Sequence, residues 1–120
     1  MKPTMLYIAE YEKDVQSFLK YLNDKLISER HISKLDLRHC CIETDNYMII
    51  GKSLYSGRLG ADYGYMQYYT VSSKLTKNNT CHKDKLPKNL KHYLDTILMH
   101  TREDTKEISE LEMLRILGLV

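Results

Sequence analysis

The residues best suited to recognition are tyrosines, six of the ten lying between Tyr47 and Tyr69. In the run Tyr65-Met66-Gln67-Tyr68-Tyr69-Thr70-Val71, strand alternation would point Tyr65, Gln67 and Tyr69 one way and Met66, Tyr68 and Thr70 the other. Facing solvent, the first set is an aromatic row that could stack bases or anchor a protein partner. Facing inward, the same rings finish a core and leave their hydroxyls at its rim.

A second group is cationic. Lys74, Lys77, Lys83, Lys85, Lys88 and Lys91 are opposed by Asp84 alone. A lysine-rich loop leading into a helix start can grip phosphates, because each contact releases a counterion. The segment has no arginine, the residue on which base-edge readout leans, so nucleic-acid affinity here would be nonspecific; the plainer reading is that these lysines simply solvate the surface. A third group is apolar. Ile108, Leu111, Leu114 and Leu117 recur at helical spacing beside Ile116, Leu119 and Val120. That edge either packs on its own sheet or docks a partner helix or a second copy of the chain.

Other chemistries find less support. His39-Cys40-Cys41 and Cys81-His82 are zinc-ligand types, but structural zinc sites pair their ligands at short spacing, and adjacent strand cysteines point to opposite faces. No metal or cofactor is expected. Gly51-Lys52-Ser53 lacks the upstream glycine of a phosphate-binding loop. Asp36, Glu43, Asp45 and Lys52 lack the compact spacing of metal-dependent cleavage, and nothing fixes a cysteine–histidine pair as a nucleophile. The expectation is a protein that is not an enzyme.

The elements that must position these groups follow from periodicity. Ile8, Tyr11, Val15, Phe18, Leu22 and Leu26 form one stripe, with no glycine or proline between, and predict a single long helix from about Leu6 to Arg30. Leu35, Leu37, His39 and Cys41 then alternate with polar neighbours. A turn cluster at Glu43-Thr44-Asp45-Asn46 leads into Tyr47-Met48-Ile49-Ile50, and together these read as a hairpin. Breakers at Gly57, Gly60 and Gly64 precede a third strand from Tyr65 to Val71.

Ser72 to Lys85 reads as a long loop, and Pro87 suits the first turn of a helix reaching about His100. Asp104 with Glu107 resembles a capping box for a last helix that ends at Gly118. The sum is one α+β domain over residues 1–120: a long N-terminal helix, a three-stranded antiparallel meander and two C-terminal helices in a two-layer sandwich.

Composition bounds the partners. A net charge of +2 with 28% charged residues excludes a strongly basic nucleic-acid packager and an acidic DNA mimic. No run approaches the roughly 18 apolar residues of a membrane span, and no apolar signal-peptide core follows the N-terminus. Three cysteines, two of them adjacent, suit free thiols in a reducing interior. A cytoplasmic location without membrane contact is therefore expected. Lysine far outnumbers arginine, Tyr, Asn and Ile are frequent and Trp is absent, as an AT-rich genome encodes. This fits a small accessory or regulatory protein of a virus or mobile element. The leading expectation is binding to a protein partner through Tyr65, Gln67 and Tyr69 or through Leu111, Leu114 and Leu117, with a homodimer through the last helix as one form of that contact. The alternative is nucleic-acid binding by the lysine loop and the sheet tyrosines.

Overall fold

Met5-Leu6-Tyr7-Ile8-Ala9 is an unbroken apolar run in which every residue is buried. Such a run suits a central strand covered on both faces. In the computed structural model, which describes residues 2–54, 66–76, 88–99 and 105–120, it forms β1 (Thr4–Ala9). The helix expected from Leu6 begins later, as α1 (Glu12–Ser28). Ile8 and Tyr11 fall in phase with the α1 stripe by coincidence, and the strand ends without a glycine or proline to mark it.

The hairpin is present, with more in it than alternation suggested. β2 (Ser33–Asp36) and β3 (Cys41–Thr44) pair antiparallel, and β3 pairs antiparallel with β4 (Met48–Ser53). The expected strand through Leu37 and His39 is broken by a turn in which Cys40 adopts a φ of 51° and the Asp36 carboxylate accepts from the His39 N–H at 3.1 Å. β5 (Met66–Val71) matches the third expected strand, but its partners do not. It lies parallel to β1 on the side away from β4, so the chain crosses over β1 and the sheet is mixed rather than a meander. With β6 (Lys106–Glu107) parallel to β5, the strand order is β2-β3-β4-β1-β5-β6.

Two short cores lie on opposite sides of this sheet, so the two-layer expectation gives way to helices on both faces. Met5, Tyr7 and Ala9 join Val15, Leu19, Leu22 and Leu26 of α1 and Met113 and Leu117 at the C-terminus. Leu6 and Ile8 join Leu94 and Ile97 of α3 (Lys88–Leu98). Gly51 on β4 lets α1 approach the sheet closely: a Cβ there would collide with Val15 Cγ1. The expected long loop after β5 opens with a single helical turn, α2 (Ser73–Thr76).

The last helix, α4 (Glu110–Ile116), starts later than Asp104 and Glu107 suggested, since Glu107 belongs to β6. Its cap is Ser109, whose side chain accepts from the Glu112 N–H at 3.1 Å. Gly118 ends it as expected, at φ 76°, with the Leu119 N–H donating to the Leu114 carbonyl at 2.8 Å. Among the described residues no helix is long and apolar enough to cross a membrane.

Candidate functional site

Where neighbouring parallel strands send their connections to opposite sides, the ends of those strands leave a crevice. Here that point lies between β1 and β5. Backbone bonds bring the strand ends level: Ser72 N–H donates to Ile8 at 2.7 Å and Leu54 N–H to Ala9 at 2.9 Å. A cleft of about 210 Å³ opens above them, walled by the start of α1, the residues after β5 and the first residue of α4.

Tyr7, Asp14, Ser17, Phe18, Ser72, Ser73, Lys74 and Glu110 line it. Glu110 is its hub. One carboxylate oxygen accepts from the Ser73 N–H at 3.0 Å, the other from the Tyr7 hydroxyl at 3.4 Å. Lys74 Nζ donates to Asp14 at 3.3 Å across the mouth, with the lysine side chain 76% exposed and the aspartate 20%. Burial pushes the Tyr7 phenol above its ordinary range; the Ser72 hydroxyl opposes this, and the Glu110 charge adds to it.

Apolar groups continue from this polar interior to the surface. The Tyr7 and Phe18 rings stack at 3.8 Å, nearly parallel, and Phe18 meets Tyr21 at 6.1 Å. Tyr21 is exposed, as is Leu111 next to Glu110 on α4, while Phe18 and Leu114 are half-buried against the same core. A smaller recess of about 70 Å³ lies at the other end of the α1–α4 seam, among His31, Tyr47 and Leu117.

The residues expected from the sequence are scattered by this arrangement. Tyr69 is 8% exposed and packs in the α3-side core, so its ring is structural and not part of an outward row. Gln67 is exposed, and Tyr65 lies outside the described residues. An irregularity between β1 and β5 near Tyr68 breaks the simple alternation. On α4, Leu111 is exposed and Leu114 half-buried, and Leu117 just past its end is buried in the α1-side core, so only part of the stripe is left for a partner.

Of the lysines, Lys74 is tied to Asp14, Lys91 is half-buried on α3, and Lys88 begins that helix. Lys77, Lys83 and Lys85 lie outside the described residues, as do Cys81 and His82. Cys40 is a core residue whose Sγ lies 3.5 Å from the Leu37 carbonyl. Burial and the Glu12 charge push its thiol up, and burial with Asp36 does the same to Cys41, which disfavours thiolate chemistry at either. His39 Nδ1 sits 2.7 Å from Asp36 on the exposed turn between β2 and β3, on a different part of the chain from the cleft residues.

Sequence reasoning missed Tyr7, Phe18, Ser72 and Glu110 as a group. Tyr7 and Phe18 fall there within one expected helix, and Glu110 is given no role. Their common signal would have been the polar Ser72-Ser73 step straight after an apolar strand, the place where α/β sheets collect ligands. Comparison with known protein families, curated proteins and solved structures finds no match.

Proposed function

We propose that the protein is a small, non-catalytic accessory protein that acts by occupying the surface of a protein partner, through the side of the molecule where α1 and α4 flank the cleft. The observation that carries this reading is the aromatic path Tyr7–Phe18–Tyr21, which runs from a buried, hydrogen-bonded cleft floor to an exposed ring. Leu111 stands exposed beside Glu110 at the same cleft. An apolar anchor next to a hydrogen-bonded polar recess is the anatomy of a protein-binding hot spot. Lys74, the exposed lysine nearest this cleft, is already paired with the Asp14 carboxylate, while Lys77, Lys83 and Lys85 lie outside the described residues.

The test is affinity purification from the native source with wild type and with the Tyr21→Ala/Leu111→Ala double variant, with and without nuclease. Wild type should retain a stoichiometric protein that resists nuclease, and the double variant should lose it, each truncation costing about 2 kcal/mol at a hot spot. A partner released by nuclease, or one held equally by the variant, overturns the proposal.

A further inference from the structure

β2 is an edge strand: it pairs with β3 on one side, and no described strand covers the other. Open edges present unpaired N–H and C=O groups and template further pairing. The residues of this edge sort cleanly by face. Leu35 turns toward α1 and packs half-buried against the α1-side core, while Lys34 and Asp36 are exposed on the opposite face. On that face charges already alternate across the sheet. Lys34 stands opposite Glu43 in register, and Glu43 bonds Lys2 at 3.0 Å.

We propose that two copies of this chain pair antiparallel through β2, with Leu35 opposite Leu35 of the second copy. In that register Lys34 of each copy faces Asp36 of the other, which gives two opposite-charge cross-strand pairs. Centring the pair on Lys34 or on Asp36 instead sets like charges against each other. A half-step slip sets Lys34 against Leu35 and mixes the charged and apolar faces. Only one register satisfies both faces, which is what makes the strand self-complementary.

A second observation comes from α1. The Asn23 side chain accepts from the Ser33 hydroxyl at 2.7 Å, which fixes the side of the helix that borders β2. Ile27, one turn further along that side, is 56% exposed, and Ile32 just before β2 is 60% exposed. A two-fold β2 contact would bring this apolar margin against its own copy and continue the sheet from one molecule into the next. The contact closes on itself, so it ends at a dimer.

Sedimentation equilibrium of the whole protein, from micromolar to submillimolar concentration, tests this. Wild type should approach twice the monomer mass. Lys34→Asp should weaken association about tenfold or more, and Lys34→Asp/Asp36→Lys should restore it. Ile27→Lys, which leaves β2 untouched, should weaken it independently, with circular dichroism confirming that each variant is folded. A wild-type monomer at every concentration overturns the proposal. So does an assembly larger than a dimer, or a dimer that survives both Lys34→Asp and Ile27→Lys but is lost in Leu111→Lys. None of these outcomes bears on the α1–α4 surface except the last, which would move self-association there.

Discussion

The most informative single residue is Tyr7. It is an apolar core member by its ring and a site member by its hydroxyl, stacked on Phe18 and bonded to Glu110. Burial holds its phenol protonated above the ordinary value of 10.0. The folded state therefore binds this proton more tightly than the unfolded state does. The associated stability is fully present below pH ~10 and drains away as pH rises beyond it. In Tyr7→Phe that alkaline slope should be shallower, with a loss near neutral pH of about 1 kcal/mol for the hydroxyl's contacts with Glu110 and Ser72. Urea denaturation of both proteins at neutral and alkaline pH checks this, and parallel profiles would show that Tyr7 does not couple to the proton. Nothing in the sequence marks Tyr7 as unlike the other tyrosines. Its distinction comes from Glu110, more than one hundred residues away.

Elements with local determinants were legible in part. The end of α4 at the left-handed Gly118 agrees with the sequence reading, whereas its start, capped by Ser109, lies later than the Asp104–Glu107 pair suggested. Ser109→Ala should cost about 1 kcal/mol while Ser109→Asp is tolerated. Gly118→Ala should cost about as much again through its positive φ. Thermal unfolding of the three variants measures this, and an unchanged Ser109→Ala would mean that the cap is idle. α3 and the β3–β4 hairpin were equally readable, from helical spacing and from Asp45-Asn46 between apolar runs. β1 was not. Six strand residues abut a long amphipathic helix without a breaker, and two of the spacings happen to agree with the helix. Pairing was least legible of all: β5 has the composition of any strand, and only its contact with β1 shows that the sheet is mixed. The failure at Tyr69 follows from that error, because a strand held between β1 and β6 with a core on its α3 side turns Tyr69 inward.

For the whole molecule, burial is concentrated around β1, which has a strand on each side and a core on each face. Backbone amides from Leu6 to Ala9 should therefore exchange with solvent most slowly, opening only with global unfolding. Those of the two-residue β6 at the margin should exchange by local fraying. Hydrogen exchange followed by NMR or mass spectrometry reads this directly, and faster exchange in β1 than in β6 would refute the hierarchy.

The same placement governs how the chain can acquire its structure. β1 comes early in the sequence, yet Thr4 finds its strand partners only at Met48 and Met66. A nascent chain leaving the ribosome thus exposes its most water-averse segment long before anything exists to shelter it, and α1 forms with no sheet to lie on. Completing the sheet around β1 needs both β4 and β5, which predicts a non-local nucleus and slow folding for a chain of this size. During that wait Met5-Leu6-Tyr7-Ile8-Ala9 has the profile of an aggregation seed. Translation products that stop before β5 should then be insoluble, whatever helix they contain.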